Sequence, residues 1–186
     1  MTALAVGLAA GASQAQDWNG FYAGLSVTNG DSGVDFTGLP SPYSGSDSAA
    51  PGIFAGYNHV LSSNLVVGGE LSYSSIDTAE FPPISPFYGK SLLQLRGRLG
   101  YAAGNAMPYL ALGLARTDAG IVGGPTTSES GYSIGLGTEF LIGTNMSLRA
   151  EYTRAKFSGI GENVFFPPDF ADLEYDTFTV GAAWHF

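Results

Sequence analysis

The chain has 186 residues, a length that suits one domain, and 12% of them are charged, about half the share in an ordinary soluble domain. Its 27 glycines and 13% aromatic residues are not the composition of a disordered chain and are typical of one that forms many short strands. Seven basic against 16 acidic residues give a net charge of −9, which argues against nucleic acid as a partner, and the lack of cysteine excludes disulfides and thiolate metal sites.

Residues 1–15 have the composition of an export signal. They are almost all Ala, Gly, Leu and Val, and they end in Ser13-Gln14-Ala15, which places small residues at the −3 and −1 positions of a cleavage after Ala15. No Lys or Arg precedes the apolar core, so we expect the signal to be truncated at its N-terminus or weak. A disordered tail of small residues is the alternative. We predict that residues 1–15 are a signal peptide and that residues 16–186 form one barrel domain.

After residue 20, apolar and polar residues alternate in eight segments of about 10 to 12 residues, the length of a tilted strand that crosses a bilayer. The predicted strands cover roughly residues 20–29, 51–60, 65–76, 91–102, 107–118, 131–141, 146–157 and 176–186. Three connections are short (61–64, 103–106 and 142–145), and four are long: about 30–50, 77–90, 119–130 and 158–175. This pattern predicts an all-β fold, an antiparallel up-and-down transmembrane barrel with short periplasmic turns, long extracellular loops and both termini in the periplasm.

One face of the predicted strands is apolar, and the other carries glycine and polar residues. A soluble ligand-binding barrel would place the apolar face inside, but its exterior would then carry many strand glycines, which weaken a sheet, and few charges. In a membrane, the same arrangement would expose Arg96, Arg98 and Arg149 to lipid at a total cost of roughly 6–12 kcal/mol, which rivals the stability of a whole domain. We therefore predict that the apolar face contacts lipid and that the polar face lines the lumen.

Aromatic residues on the predicted outer face cluster toward the two ends of the strands. Such girdles match the preference of aromatic side chains for the two membrane interfaces, although chance would also scatter some rings in a chain this aromatic. The girdle near the short turns comprises Phe21, Tyr57, Tyr101, Phe140, Trp184 and Phe186, and the girdle near the long loops comprises Tyr73, Tyr132 and Phe178.

Three acidic and three basic residues fall on the predicted inner face, close to the short turns: Glu70, Arg96, Arg98, Glu139, Arg149 and Glu151. Their charges sum to zero. An eight-stranded barrel is only wide enough for its side chains to fill, so we interpret these residues as a structural plug of mutually neutralised charges. A gated ion path through the same band is the alternative.

The net negative charge then lies on the long-loop side, where 12 acidic and four basic residues leave about eight net negative charges. The four basic residues lie at the tops of strands, at the level of lipopolysaccharide phosphates, and they either clamp that lipid or are ordinary solvated charges: Lys90, Arg116, Arg154 and Lys156. No Asp-x-Asp-x-Asp-Gly loop occurs, so we expect neither a dedicated calcium site nor any other metal or cofactor.

Several short segments together resemble the small eight-stranded outer-membrane β-barrel family of Gram-negative bacteria, the OmpA/OmpX-like porin family. They are WNGFYAG (18–24), GYN (56–58), VGGE (67–70), RGRLGY (96–101), RAEY (149–152) and the terminal Phe186. The resemblance implies an outer-membrane location, contact with outer-membrane lipid, and insertion by the barrel-assembly machinery. That machinery recognises a last strand with alternating outward apolar residues and a terminal aromatic, which here are Phe178, Val180, Ala182, Trp184 and Phe186.

The sequence does not predict an enzyme. Both histidines, His59 and His185, fall at the periplasmic end, too far from the outer leaflet to serve there as a general base. The inner carboxylates pair with arginines, so no acid–base dyad is expected. We predict a non-catalytic integral outer-membrane protein that contributes to envelope integrity and presents acidic loops to a partner that the sequence does not identify. The alternatives are a narrow passive pore and a soluble periplasmic ligand-binding barrel.

Overall fold

The computed structural model describes residues 18–36, 43–46, 49–75, 87–121, 126–158 and 171–186. These contain nine β-strands: β1 (Gly20–Phe36), β2 (Tyr43–Ser46), β3 (Ala50–Val60), β4 (Leu65–Ser74), β5 (Phe87–Tyr101), β6 (Ala106–Ile121), β7 (Thr126–Ile142), β8 (Met146–Ser158) and β9 (Ala171–His185). In this part of the chain, no helix has the length and apolar character needed to cross a membrane. The predicted signal peptide, residues 1–15, lies outside the described residues.

Eight of the nine strands form a closed antiparallel barrel. From β3 to β9 each strand pairs with the next, β1 pairs with β3, and β1 also pairs with β9 over 15 residues, from Tyr22 opposite His185 to Phe36 opposite Ala171. The short strand β2 pairs only with β1, where it continues the position of β3 beyond Thr28. Closure removes the free edges of the sheet, and it confirms the predicted eight-stranded fold.

Three tight turns lie at one end of the barrel, which we call the short-turn end. They comprise residues 61–64, 102–105 and 143–145, after β3, β5 and β7. Each contains a residue with a positive φ angle: 62° at Asn64, 65° at Gly104 and 71° at Gly143. Glycine and asparagine tolerate this left-handed conformation, so these residues allow the sharp reversals that the sequence predicted. The opposite end is called the long-loop end.

At the long-loop end the strands extend farther than predicted. β1 continues to Phe36 instead of ending near residue 29, β7 begins at Thr126 instead of near 131, and β9 begins at Ala171 instead of near 176. Parts of the predicted loops are therefore strand, and β2 was not predicted. Residues 30–36 of β1 and 126–130 of β7 are mostly Gly, Ser, Thr and acidic residues, so their sequence does not alternate, whereas backbone pairing continues wherever neighbouring strands supply partners. Residues 171–176 of β9 do alternate, with Leu173 and Tyr175 buried and Asp172 exposed.

The apolar face of the barrel points outward, as predicted. Leu25, Leu95 and Leu114 have 69%, 60% and 68% of their surface exposed, whereas the inward Arg96 has 2%. All nine aromatic residues predicted for the two girdles are also exposed. An exterior of this kind suits hydrocarbon rather than water, so the soluble-barrel alternative is wrong.

Candidate functional site

The six predicted inward charges lie together inside the barrel and are called the ionic cluster. They come from four strands, and all are at least 96% buried: Glu70 on β4, Arg96 and Arg98 on β5, Glu139 on β7, and Arg149 and Glu151 on β8. Strand geometry explains their shared direction, because residues two apart on one strand point to the same face.

Glu70 is the centre of the ionic cluster. Its Oε1 accepts a hydrogen bond from Arg96 Nη2 at 2.8 Å. Its Oε2 accepts from Arg98 Nη1 at 3.3 Å and from Arg149 Nη1 at 2.5 Å. One carboxylate therefore bonds three guanidinium groups, and the other two glutamates must supply the remaining negative charge.

The two remaining glutamates flank this centre. Arg96 Nη1 donates to Glu151 Oε1 at 2.6 Å, and Arg98 Nη2 donates to Glu139 Oε2 at 2.7 Å. A continuous series of charge-assisted bonds thus links four strands across the lumen. Because an unpaired buried charge costs several kcal/mol, this mutual neutralisation is what allows six charged groups to occupy the interior.

Three aromatic side chains contact the ionic cluster, and none of them was among the predicted site residues. Tyr22 donates its hydroxyl to Glu70 Oε2 at 2.9 Å and accepts from Arg98 Nη1 at 2.6 Å. Tyr109 donates its hydroxyl to Glu151 Oε2 at 2.9 Å, and the Arg149 guanidinium lies 3.4 Å from the ring centroid of Phe54. Strand alternation places all three rings on the inner face, so the same pattern could have identified them.

Trp18 lies beneath the ionic cluster at the short-turn end. Its side chain is 1% exposed, packs with Val66, Met107 and Leu141, and donates a hydrogen bond from Nε1 to the Gly104 carbonyl at 3.1 Å. Trp18 precedes the first strand, so no alternation pattern could predict its direction. Its packing closes this end of the lumen with an apolar layer.

His185 lies at the short-turn end, as predicted, but its side chain points inward. Its Nε2 is 3.0 Å from Ser147 Oγ and 3.3 Å from Glu139 Oε1, and Ser147 Oγ donates to the same carboxylate oxygen at 2.6 Å. A catalytic serine triad uses the two histidine nitrogens separately, one toward serine and one toward the acid. Here one nitrogen faces both groups and Ser147 is 1% exposed, so the arrangement does not present a nucleophile. The other histidine, His59, is exposed, with Nδ1 3.2 Å from Asn19 Oδ1.

Beyond the ionic cluster, toward the long-loop end, the lumen is first polar and then apolar. The polar layer contains buried hydroxyl and amide groups: Ser26, Thr28, Gln94, Ser133, Thr153, Thr177 and Thr179. Farther along β8 and β9, the buried rings of Phe157 and Tyr175 meet edge to face at 5.8 Å. The described lumen thus has apolar packing at both ends and polar groups between them.

Comparison with known proteins identifies the family. Residues 1–186 match the family described as the outer membrane protein beta-barrel domain. The chain belongs to this family of outer-membrane β-barrels. Its location is accordingly the outer membrane of Gram-negative bacteria. No curated protein sequence matches the chain.

Two solved outer-membrane barrels are similar to this one. Neisserial surface protein A has a TM-score of 0.56 and 17% identity, with 89% of this chain and 97% of that chain covered. Ail, the attachment invasion locus protein of Yersinia pestis, has a TM-score of 0.54 and 15% identity, with 90% and 99% covered. Ail in complex with the heparin analogue sucrose octasulfate has a TM-score of 0.51 and 16% identity, with 90% and 99% covered. At these identities the likeness shows the fold alone.

The four basic residues predicted for the rim have different surroundings in the outer-membrane barrel. Arg154 donates to Asp176 from Nε and Nη2, at 2.7 Å each, and Lys156 pairs with Glu174. Arg116 is exposed and pairs with no carboxylate among the described residues. Lys90 lies in β5, and its side chain lies outside the described part of the structure. Two of the four cations are therefore already neutralised by acidic residues of β9.

The predicted assembly signal lies along the outer face of β9 and the residue after it. Phe178, Val180, Trp184 and Phe186 are 50–76% exposed, and Ala182 is partly exposed. The backbone nitrogen of Phe186 donates to the Phe21 carbonyl at 2.9 Å. The last residue thus takes part in the seam between β1 and β9 that closes the barrel. Within the described residues, no group of three or more His, Asp or Glu side chains is arranged to hold a metal ion.

Proposed function

We propose that this outer-membrane barrel is a non-catalytic structural protein that contributes to envelope integrity and presents an acidic outer end to its surroundings. The observation that carries the proposal is the ionic cluster, because Glu70 and its three arginine partners occupy the lumen and are fully buried. The absence of an exposed nucleophile in the Ser147, His185 and Glu139 group supports a non-catalytic role.

The layers of the lumen support a closed barrel rather than a channel. An ion that crossed it would have to pass the Trp18 layer, separate the ion pairs of the cluster, and then pass the rings of Phe157 and Tyr175. The Trp18 layer, the ion pairs of the cluster and the Phe157–Tyr175 ring pair are each formed by side chains in contact. A permanent water-filled path therefore has no support in this part of the structure.

Conductance of the refolded protein in planar bilayers tests this proposal. We expect no steady current, because the ion pairs would have to break before an ion could pass. The same bilayers should conduct after an open porin is added, which establishes that the assay detects channels. A large, steady, voltage-independent current from the wild-type protein would overturn the proposal.

A narrow passive pore is the second candidate function. Two buried polar atoms above the ionic cluster, Gln94 Nε2 and Ser133 Oγ, have no hydrogen-bond partner within the described part of the lumen. Unsatisfied buried groups are typical of surfaces that hold water, so transient hydration of this layer favours slow permeation. Small, brief current steps that depend on Gln94 would support this candidate.

We also propose that both termini lie in the periplasm, and that the long-loop end faces outward. The short-turn end then carries Trp18 and Phe186 on the periplasmic side, which agrees with the usual placement of short turns in such barrels. Protease treatment of intact cells should cleave the long-loop end and leave epitope tags at either terminus protected. Loss of a terminal tag from intact cells would contradict this orientation.

Two contacts follow from this orientation. We propose that the barrel-assembly machinery engages the outward residues of β9, and that Phe186→Ala slows insertion into the outer membrane.

We also propose that the predicted rim residues contact lipopolysaccharide phosphates chiefly through Arg116, because Arg154 and Lys156 have carboxylate partners. Arg116→Ala should then weaken lipopolysaccharide binding to the purified protein more than Arg154→Ala does. Equal binding by all variants would count against the rim contact.

Ail, a barrel of similar fold, has been solved in complex with the heparin analogue sucrose octasulfate. About eight net negative charges on the long-loop side would repel a polyanion. We therefore propose that the surface partner is not a sulfated polysaccharide. Retention of the protein on heparin resin at low salt would show that this proposal is wrong.

A further inference from the structure

A cavity of about 480 Å³ lies on the outside of the barrel, near the long-loop end. Its walls are residues 29–31 of β1, residue 152 of β8 and residues 176–178 of β9. This position is on the opposite side of the sheet from the lumen. The cavity therefore shares no side chain with the ionic cluster.

Strand register arranges the outward side chains around this cavity in two rows. One row crosses the three strands as Asn29, Phe178 and Tyr152, and the next row, closer to the long-loop end, is Asp31, Asp176 and Arg154. The aromatic row borders the apolar belt, while the charged row borders the aqueous side. The cavity thus lies at the boundary between hydrocarbon and water.

The two aspartates of the charged row differ in their electrostatic environment. Asp176 accepts two hydrogen bonds from Arg154 and one from the Tyr152 hydroxyl, each at 2.7 Å. Asp31 is exposed, lies directly opposite Asp176 across the strands, and has no ion pair among the described residues. Like charges directly opposite each other destabilise a sheet, so a cation beside Asp31 would relieve an unfavourable interaction.

The chemistry of the walls selects the kind of cation. The rings of Phe178 and Tyr152 supply faces that attract an organic ammonium group, and Asp31 supplies its counter-charge. A phosphate or carboxylate would instead meet the negative charge of Asp31. Because the aromatic row continues into the apolar belt, a ligand that joins an ammonium group to an apolar chain would satisfy both rows at once.

We propose that this cavity is a binding site for the ammonium group of an amphiphile whose apolar chain lies along the lipid-facing surface of the barrel. Asp31 pairs with the ammonium, and the Phe178 and Tyr152 rings cover its methylene groups. The amphiphile is either an amine-bearing membrane lipid or a free alkylammonium, since both carry the same recognised group.

The test uses the full-length protein in neutral sugar-detergent micelles and compares two probes, phosphatidylethanolamine and dodecylammonium, with phosphatidylglycerol as the anionic reference. Bound probe is counted by native mass spectrometry. Asp31→Asn removes the counter-charge with almost no change of volume. Asp172→Asn is the matched control, because Asp172 is also exposed but lies on β9 outside the cavity. Resistance to heat on gels shows whether each variant is folded.

We expect the wild-type protein and Asp172→Asn to prefer the amine probes over phosphatidylglycerol by about tenfold, and Asp31→Asn to lose this preference. Phe178→Leu should weaken binding of the amine probes while leaving the charge in place. Binding of both probes shows that the site accepts an amine carried on a lipid headgroup, whereas binding of dodecylammonium alone restricts the site to free alkylammonium compounds. The proposal is overturned if neither probe is preferred, or if Asp31→Asn binds the amine probes as well as the control does.

Discussion

Glu70 accepts hydrogen bonds from Arg96, Arg98, Arg149 and Tyr22, more than any other side chain in the described part of the lumen. The Glu70 carboxylate has two roles in the ionic cluster. It supplies the negative charge that three guanidinium groups share, and its two oxygens fix the direction of donors from three strands. Its removal would leave buried positive charge without sufficient compensation.

Glu70→Ala should therefore lower the free energy of unfolding by about 3–5 kcal/mol. Urea titration of the protein refolded into lipid vesicles measures this change. Glu174→Gln is the control, since it removes a carboxylate from an exposed ion pair with Lys156, and it should leave the urea midpoint almost unchanged. If Glu70→Ala does not refold, Glu70→Gln should refold with an intermediate loss. Equal midpoints for the Glu70 variants and Glu174→Gln would contradict the central role of Glu70.

At the scale of the strands, close approach of neighbouring backbones depends on inward glycine. Gly113 on β6 lies opposite Arg96 on β5, and a Cβ atom at Gly113 would overlap the Leu95 carbonyl oxygen. Gly69 on β4 faces the opposite way, and a Cβ atom there would meet nothing within 4 Å. The glycines of the barrel thus have two separate roles, and only the inward ones permit the tight packing of the lumen.

Gly113→Ala should lower the free energy of unfolding by about 1–3 kcal/mol, because the added methyl forces β5 and β6 apart. Gly69→Ala adds the same methyl group on the lipid side, where it has room, and should be neutral or slightly stabilising. The two variants are compared by urea titration under one set of conditions. If Gly69→Ala is as harmful as Gly113→Ala, tight packing of the lumen does not explain the inward glycines.

At the scale of the whole molecule, the described part of the lumen holds a neutral set of buried charges. The ionic cluster sums to zero, so it contributes nothing to the net charge of −9. The neutral interior allows the barrel to close, because no buried charge of the cluster is left uncompensated. The stability of the barrel and its conductance can then be tested separately at the ionic cluster.

Arg96→Ala separates these two properties. It removes the partner of both Glu70 and Glu151, so heat resistance on gels should fall strongly. The conductance in planar bilayers should change much less, because Trp18 and the rings of Phe157 and Tyr175 still occupy the lumen. If Arg96→Ala conducts ions well and its heat resistance equals that of the wild-type protein, then the ionic cluster gates a channel and does not stabilise the fold.

Alternation along single strands was sufficient to predict the barrel, the outward apolar belt and the inward direction of all six charges of the ionic cluster. This information is local, because the two faces of a strand follow from covalent geometry alone. The same reasoning failed at the long-loop end, where β1 continues through residues 30–36, whose sequence does not alternate between apolar and polar residues.

Only the tertiary structure decided which groups meet across the lumen. Glu70 and Arg149 are 79 residues apart in the chain, and their pairing depends on the register through which eight strands close into a barrel. Trp18 lies in the lumen although it precedes the first strand, and Arg154 pairs with Asp176, whereas Asp31 has no ion pair among the described residues. Contacts of this kind are set by closure and strand stagger, which no single segment of the sequence contains.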